Sequence, residues 1–515
     1  MSVWVLEMDL RPGGYLAGFQ RKKFVFDTAI HWLNQCGEKG MTRRIFDYLG
    51  TGAPETPPLK RIRRYIGDTT DYLLTDRPND LRDTMIRDCP EDEVGIRAFF
   101  DVAAKVGRHF SRVCKTARSP MSMSLFEKGR IMLPTGIAGL SMLRHSGATE
   151  KVLPKYFKSD RLRNVFCSEE SFLSCVVPIG WAYEGDYQKP PVGGSQAFPR
   201  WLCRLLEGLG ATVSYRSRVK QVLLDGKRVR GVRFERRHRG ETEMHEIRCK
   251  YVVACSDLHT LYTKMLPPGT IKPSVLRKIE VADLYDSSVS LSIGLNKPCE
   301  DLGFDEEMVV LTRDGLRRPE HSGHDPNKVA LSVLAPALRD PTLAPEGKGT
   351  LVIYAPARIE HGDHWKTGPD LERGEEYKRY KKQFADVLID RVATAMSPGL
   401  RSHIELCDVA TPVTHQRYTG NKDGTIMAAR PTRKNIFRRV AQYLTPIENL
   451  ILGGHWAEYG GGVPVAVRAG FNSALLILQR ENPAVFHAVK GLMDGVVEPE
   501  DIHSPHVREA SVTEQ

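Results

Sequence analysis

The sequence predicts an α/β fold that is joined to a mixed α+β domain. Three patterns predict it: a short strand near the start that ends in an acidic residue, a helix followed by a meander of three strands in the middle, and a strand that enters a glycine-rich turn near the end. Helices and strands that alternate in this way are typical of sheets whose faces are covered by helices.

The chain has the composition of a soluble globular enzyme. It contains 515 residues, of which 41% are hydrophobic and 27% are charged, and this length suits two or three domains of roughly 100–200 residues each. The longest charge-free apolar run, residues 131–143, is shorter than the ~20 residues that a membrane-spanning helix requires. The ten cysteines occur singly, and the opening residues lack the basic start and cleavage site of a signal peptide. We therefore expect a cytoplasmic protein without a metal site.

The chain is basic, with a net charge of +11 and clusters of Lys and Arg at residues 60–64, 233–239 and 430–439. Such clusters are compatible with a solvated surface, and they also suit peripheral contact with anionic lipid on the inner face of a membrane. No zinc finger or RNA-binding motif accompanies them, so we expect no nucleic-acid partner.

The central elements are predicted from apolar spacing and turn residues. Apolar residues recur at helical intervals over residues 201–209, and Gly210 supplies a stop signal. Asp225-Gly226 is a strong hairpin signal between two strands. The strands are predicted at residues 219–224, 229–234, 244–249 and 251–255.

The first motif with chemical content lies at the start of the chain. Glu7 ends a short strand, the position at which dinucleotide-binding folds place an acid that accepts hydrogen bonds from a ribose. Gly13 and Gly14 follow, and glycines let the backbone approach a cofactor closely. Taken alone, the segment also fits an ordinary strand with a Pro-Gly turn.

The second motif lies near the end of the chain. A strand over residues 449–452 enters Gly453-Gly454-His455, and Gly460 to Gly462 precede a helix that begins at Val463. Backbone N–H groups at the positive end of a helix stabilise anionic oxygens. The alternative is a glycine-rich turn that packs two elements tightly.

Together these motifs resemble those of the phytoene desaturase and carotenoid cis-trans isomerase family of FAD-dependent oxidoreductases. The resemblance rests on a Gly-Gly turn followed by Phe-Asp-x-x-x-His-Trp, on a Pro-x-Gly-Gly segment, on an Arg-Tyr-Thr-Gly-Asn segment and on the C-terminal glycine motif. These occupy residues 13–33, 191–194, 417–421 and 453–464, in the family's order and across nearly the whole chain. The resemblance implies a glutathione-reductase-like FAD-binding fold and a mixed α+β substrate domain.

The resemblance also implies roles for individual residues. Glu7 is expected to bind the adenosine ribose, and Val219 to place its backbone against the adenine. The residues expected along the pyrophosphate, ribityl chain and flavin ring are Arg11, Gly13, Gly14, Gly454, His455, Gly462 and Val463. Two positions in these motifs depart from the family pattern, because Tyr15 stands where relatives usually carry a second basic residue and His455 stands where many carry an acid.

The implied reaction is hydride transfer between FAD and a lipophilic polyene, because in such enzymes the cofactor carries the redox chemistry and the protein supplies an apolar tunnel. Desaturation of a phytoene-like substrate, carotenoid isomerisation and saturation of a retinoid-like polyene all stay open. Candidate catalytic residues are His31, Arg417 and Tyr418, and a scaffold role is the alternative for His31. Amine oxidation is disfavoured by an aromatic content of 8%.

Relatives normally place a strand, a Gly-x-Gly-x-x-Gly turn and a helix before the Glu-bearing strand, and these are not found here. We therefore expect the 515-residue chain to bind FAD poorly and the natural protein to be longer. A truncated, non-catalytic remnant that acts as a pathway scaffold is the alternative from another class.

These inferences predict a division of the chain into six parts. FAD-binding parts are predicted at residues 1–75, 190–268 and 425–485, with a helical substrate or lid region at 76–189, a mixed α+β substrate domain at 269–424 and a disordered tail at 486–515. Within the helical region, the methionine-rich surroundings of residues 131–143 are a predicted membrane contact.

Overall fold

The fold is described by a computed structural model. The structure describes residues 2–28, 30–114, 116–130, 136, 139, 144–145, 147–238, 240–359 and 364–494. Helices and sheets alternate along these residues, and the predicted α/β fold class is confirmed. The apolar run 131–143 lies almost entirely outside them.

The elements are numbered in chain order. The strands are β1 (Trp4–Leu6), β2 (Phe19–Arg21), β3 (Phe24–Phe26), β4 (Arg61–Ile66), β5 (Asp71–Thr75), β6 (Thr212–Ser214), β7 (Ser217–Asp225), β8 (Arg228–His238), β9 (Glu241–Arg248), β10 (Val252–Ala254), β11 (Ser287–Leu295), β12 (Met308–Leu311), β13 (Leu331–Leu334), β14 (Gly349–Ala357), β15 (Ile404–Ala410) and β16 (Leu450–Leu452). The helices are α1 (Met41–Leu49), α2 (Pro78–Asp88), α3 (Glu93–Cys114), α4 (Thr149–Val152), α5 (Asp160–Asn164), α6 (Phe172–Tyr183), α7 (Ala197–Gly208), α8 (Leu258–Thr260), α9 (Pro273–Glu280), α10 (Arg318–His321), α11 (Pro336–Arg339), α12 (Glu375–Met396), α13 (Pro412–Thr419), α14 (Arg433–Arg438), α15 (Val463–Glu481) and α16 (Pro483–Met493).

Two pairs of short parallel strands carry the N-terminal and C-terminal motifs. Strand β1 pairs with β6, and β10 pairs with β16. Among the described residues, no other strand pairs with either β1 or β10. The meander β7-β8-β9 and helix α7 follow the predicted order, so the central elements are confirmed. The Asp225-Gly226 hairpin joins β7 to β8, and Gly226 has a φ of 57°.

The largest sheet has seven strands in the order β15-β11-β14-β13-β12-β4-β5. One face packs against α12 through a buried apolar cluster that includes Leu291, Ile353 and Leu388. The other face meets α3 and α6 through a second cluster that includes Met308 and Phe99. Its strands are antiparallel except for β12 and β4, which run parallel. This sheet is the body of the mixed α+β domain.

Two parts of the predicted division differ from the structure. Residues 61–75, which the division assigns to the first FAD-binding part, form β4 and β5 at the edge of the seven-stranded sheet. The alternation of Ile62, Tyr72 and Leu74 buries these side chains in the substrate-domain core, which explains their position.

The prediction of a disordered segment from residue 486 is wrong for residues 486–493. Asn482 caps α16 by accepting a hydrogen bond from the Val485 N–H at 3.1 Å, and Pro483 occupies the first turn. Phe486, Val489 and Leu492 are buried on one face at helical spacing. The rest of the predicted tail lies outside the described residues.

Candidate cofactor and substrate site

The turn over residues 12–18 is held in place by hydrogen bonds to the two residues that precede α7. The Gln196 side chain accepts a hydrogen bond from the Gly18 N–H at 3.0 Å and donates one to the Pro12 carbonyl at 2.9 Å. The Ser195 hydroxyl lies 2.9 Å from the Leu16 carbonyl oxygen. The first predicted motif is therefore held directly by the two residues that follow the Pro-x-Gly-Gly segment, which is remote in the sequence.

Asp27 stabilises this junction from the next strand. One of its carboxylate oxygens accepts from the Ser195 N–H at 2.9 Å and lies 2.8 Å from the Ser195 hydroxyl. The carboxyl is buried, and burial raises its pKa. Asp27 is the acid of the Phe-Asp-x-x-x-His-Trp motif, and its contacts with Ser195 make it a structural partner of the turn.

Gly13 and Gly14 adopt backbone conformations that favour glycine, with φ of 117° and 57°. A Cβ atom on Gly13 would lie 2.5 Å from Cγ of Pro199, whereas one on Gly14 would meet nothing within 4 Å. The backbone of the turn is therefore in close contact with α7 at Gly13, whereas the space beside Gly14 is unfilled by other protein atoms. Arg11 lies in the same turn, donates to the Gly18 carbonyl and has a buried Nε without an acceptor.

Glu7 and Val219 are brought together at the start of the chain. The Glu7 N–H donates to the Ser214 carbonyl at 2.9 Å, and the Glu7 carbonyl accepts from the Ser217 N–H at 2.7 Å, two residues before Val219 on β7. The Glu7 carboxylate accepts from the Asp9 N–H at 2.8 Å, and burial raises its pKa. These backbone contacts place Glu7 beside the start of β7, the strand that carries Val219.

The C-terminal glycine motif packs against β10 and against α7. A Cβ atom on Gly454 would lie 3.0 Å from the Cys255 carbonyl oxygen, so the two backbones are in direct contact. Desolvation lowers the pKa of His455, the next residue. Gly462 caps α15 with a φ of 89°, and Val463 begins the helix.

Val463 joins the motifs into one cluster. Its side chain is buried in an apolar group with Phe198 and Trp201 of α7, and Leu16 of the N-terminal turn packs against the same group. The N-terminal, central and C-terminal motifs therefore meet at one place, as the resemblance implied.

Tyr15, which follows the two glycines, connects the turn to the α13 segment. Its hydroxyl donates to the Thr425 carbonyl at 2.8 Å and also bonds to the Thr419 and Asn421 side chains. Burial raises the pKa of Tyr15 to about 12. The Tyr15 ring lies 6.2 Å from the ring of His415, measured between centroids.

The α13 segment was predicted as functional, but its inward residues are not the two that the sequence singled out. Arg417 and Tyr418 are exposed, and the Arg417 guanidinium lies 5.7 Å from the Tyr418 ring. His415 and Thr419, one helical turn apart, face Tyr15 instead. The sequence signal that distinguishes the two faces of α13 is helical spacing, because residues i and i+4, such as His415 and Thr419, lie on the same face of a helix.

His31 lies between the turn and the seven-stranded sheet. Its ring makes an edge contact with Tyr354 of β14 at 4.5 Å between centroids, and Arg339 donates to its backbone carbonyl. Burial, with the charges of Arg339 and Arg63, lowers the pKa of His31 to about 3. The imidazole is therefore neutral at pH 7.

The sheet face toward this site carries hydroxyl groups. Residues directly opposite each other in neighbouring strands share a face, and Ser290 and Ser332 both lie opposite Tyr354. Ser288 shares this face, and its Oγ lies 3.4 Å from Nε2 of His415. This surface, defined by Ser288, Ser290, Ser332 and Tyr354, is called the hydroxyl face below.

Comparison with known protein families identifies the family to which this chain belongs. Residues 1–478 match the model of the family described as flavin containing amine oxidoreductase. The chain belongs to this family. It is an FAD-dependent oxidoreductase, as the sequence motifs predicted.

Relatives in this superfamily include enzymes named for polyene substrates. The chain is 25% identical to the all-trans-retinol 13,14-reductase of Danio rerio, over 88% of this chain and 78% of the relative. It is 23% identical to the prolycopene isomerase of Daucus carota over 82% and 67% of the two chains. It is 31% identical to the zeta-carotene-forming phytoene desaturase of Myxococcus xanthus over 42% and 38%. The predicted resemblance is confirmed.

Solved structures show the same fold. A putrescine oxidase triple mutant redesigned for cofactor binding superposes with a TM-score of 0.56 at 14% sequence identity, over 93% of this chain and 94% of that one. At that identity the likeness concerns the fold alone, and it confirms the predicted FAD-binding architecture.

The family's cofactor is FAD, and the residues of the converging motifs fit it. The turn at Gly13 and Gly14 exposes backbone without side chains, and the buried Arg11 Nε has no protein acceptor. The first turn of α15 presents unpaired N–H groups at its positive end. Among the described residues, no membrane-crossing helix is present, since none is both long and apolar enough.

Proposed function

We propose that this FAD-dependent oxidoreductase acts on a lipophilic polyene of carotenoid or retinoid type. The observation that carries the proposal is that three buried side chains at this site, those of His31, His415 and Tyr15, are uncharged at pH 7. His31 and His415 have pKa values lowered to about 3 and about 4 by burial, and Tyr15 has a pKa raised to about 12. A neutral lining suits an uncharged carbon–carbon double bond better than a cationic amine, and the names of the relatives agree with it.

Bound FAD supplies hydride transfer to or from the substrate. We propose that Glu7 and Val219 hold the adenosine end, that Arg11, Gly13 and Gly14 line the pyrophosphate and ribityl chain, and that Val463 donates its N–H to the flavin ring. Gly454, His455 and Gly462 complete this lining in the same proposal. The neutral imidazole of His31 accepts or donates a hydrogen bond but holds no extra proton at pH 7, so we assign it an orienting role.

The direction of the reaction can be determined by incubating the protein anaerobically with a polyene and identifying the products. We expect the flavin-loaded protein to convert a polyene by saturation, desaturation or isomerisation, and similarity to a retinol reductase over 88% of this chain favours saturation with reduced flavin. Chromatography of polyene products after incubation with oxidised or reduced flavin measures this. Unchanged polyenes in both states, together with reduction of the flavin by putrescine, would contradict the proposal.

We also propose that the protein contacts anionic membrane through α14. Ile436 and Phe437 are 49% and 85% exposed, so two large apolar side chains project into solvent. Arg433, Arg438 and Arg439 flank them and are exposed. An apolar tip inside a basic ring is complementary to an anionic bilayer surface, to which each basic residue contributes about 1 kcal/mol.

Replacing Phe437 by serine is expected to weaken binding to anionic vesicles by about tenfold or more, because burial of a phenylalanine side chain contributes about 1.5–3 kcal/mol. Vesicle flotation at low salt measures it. Leu209→Ser is the matched control, because Leu209 is 83% exposed and lies on α7's end outside the basic ring. Equal flotation of the two variants, or none by the wild type, would contradict the membrane contact.

A further inference from the structure

A second polar site lies at the far end of the hydroxyl face. A cavity of about 180 Å³ is lined by Arg63 of β4, Glu169, Arg318 and His321, with Ser332 and Pro356 on its floor. Sites that enclose a whole ligand usually measure about 300–1,000 Å³, so this cavity suits an end group.

The cavity is continuous with the hydroxyl face and with the segment that carries His31 and Trp32. Pro356 lies opposite Ser288 in the β11–β14 register, and Ser332 lies opposite Tyr354. Tyr354 contacts His31, while the Arg63 guanidinium lies 5.2 Å from the ring of Trp32, the next residue. Strands β14, β13, β12 and β4 are consecutive in the sheet. All four strands contribute to the lining of the cavity, which therefore spans three strand spacings, roughly 14 Å, from Pro356 to Arg63.

The cavity holds hydrogen-bond donors without acceptors. Arg63 is 8% exposed, and its Nε has no acceptor. The buried Nε of Arg318 also has none. An unsatisfied buried donor costs about 1–3 kcal/mol, so a ligand oxygen that accepts from either guanidinium is stabilised here.

The cavity also holds an acceptor. Glu169 receives one contact from Arg63, at 3.4 Å from Nη1, and burial raises the pKa of its carboxyl group. A carboxylate ligand would bring a second negative charge to Glu169. A hydroxyl avoids this, because it accepts from an arginine and donates to Glu169.

We propose that this cavity binds the hydroxyl end group of a polyene alcohol, with Arg63 and Arg318 as donors and Glu169 as acceptor. The inference rests on the proposed polyene function. It makes these three residues determinants of specificity, because they would contact the end group of the substrate and not the reacting double bond.

The test compares three polyenes of retinoid length that differ only in their end group: alcohol, carboxylate and hydrocarbon. We expect the wild-type holoenzyme to bind the alcohol about tenfold or more tightly than the hydrocarbon, measured by perturbation of the flavin spectrum. Arg63→Gln and Glu169→Gln are expected to lower the affinity for the alcohol more than the affinity for the hydrocarbon, and thereby to remove this preference.

Two further variants keep the result interpretable. Arg64→Gln is the matched control, since Arg64 lies on the opposite face of β4 and bonds to Asp71 at 2.7 and 2.6 Å. Arg318→Gln repeats the test at a partly exposed position if Arg63→Gln does not fold. A preference that survives in the folded Arg63 or Arg318 variants would overturn the proposal.

The two proposals fail in different ways. Equal turnover of all three polyenes in wild type and variants would overturn the hydroxyl site and leave the polyene function standing. Tightest binding of the carboxylate would also overturn the site. Arg63-dependent binding of the alcohol without conversion of any polyene would support the site and contradict the proposed reaction. Binding of none of the three would overturn both.

Discussion

Replacement of Gly13 by alanine is expected to raise the dissociation constant for FAD by about tenfold or more. The new Cβ would lie 2.5 Å from Cγ of Pro199, and the φ of 117° is strained for any residue with a side chain. Overpacking costs about 1–3 kcal/mol, and backbone strain costs about 1–3 kcal/mol. Relief of either one would move the turn away from α7. Titration of the flavin-free protein with FAD, followed by fluorescence, measures the change.

Gly14→Ala is the control for this prediction. Gly14 has a φ of 57°, but a Cβ there meets nothing within 4 Å, so only the left-handed conformation costs about 1–2 kcal/mol. We expect a clearly smaller loss of FAD affinity than for Gly13→Ala. Equal affinities of the two variants would show that contact with Pro199 does not position the turn.

Local patterns were sufficient to predict much of the fold. The helix near residues 201–209 and the meander that follows it depend on apolar spacing and on one Asp-Gly turn, and the structure confirms them. These signals act between near neighbours, so a sequence displays them directly. The β4–β12 pairing could not be predicted this way, because it joins Arg63 to Met308 across the chain and follows from tertiary packing.

The site was predicted at the level of motifs rather than side chains. The glycine segments converge as the resemblance implied, because glycine positions constrain the backbone itself. Arg417 and Tyr418 belong to the right segment but face solvent, while His415 faces Tyr15. Which face of α13 is buried depends on the turn it packs against, and that turn is about 400 residues away in the sequence.

The sequence carried no local signal for the contacts of the buried partners of the turn, although Asp27 belongs to the Phe-Asp-x-x-x-His-Trp motif. Asp27 bonds to Ser195, and Gln196 bonds to Gly18 and Pro12. Serine, glutamine and aspartate are common surface residues, so only the three-dimensional contacts show that they stabilise the turn. The same holds for Arg63, which stands in a basic cluster that we interpreted from sequence as solvated or membrane-facing, yet is buried.

The two buried histidines are expected to make the protein sensitive to acid. Their pKa values lie at about 3 for His31 and about 4 for His415, whereas an unfolded chain has a histidine pKa near 6.5. Between these values the unfolded state binds more protons than the folded state, so stability is complete above about pH 6.5 and falls as the pH decreases. Each histidine contributes about 1.4 kcal/mol per pH unit in this window.

Replacing His415 by glutamine is therefore expected to reduce the fall in Tm between pH 7 and pH 5, although the variant starts from a lower Tm because the contacts to Tyr15 and Ser288 are changed. Thermal unfolding of the FAD-loaded protein at both pH values measures the difference. His238→Gln, at the exposed end of β8, is the control and is expected to keep the wild-type pH dependence. His31 has a pKa lowered to about 3, so its ring carries a single proton and is neutral at the pH values at which activity is measured. An activity limb near pH 6.5 that disappears in His31→Gln would mean that the imidazole titrates in the folded enzyme and acts in proton transfer, in contradiction to the orienting role assigned to it.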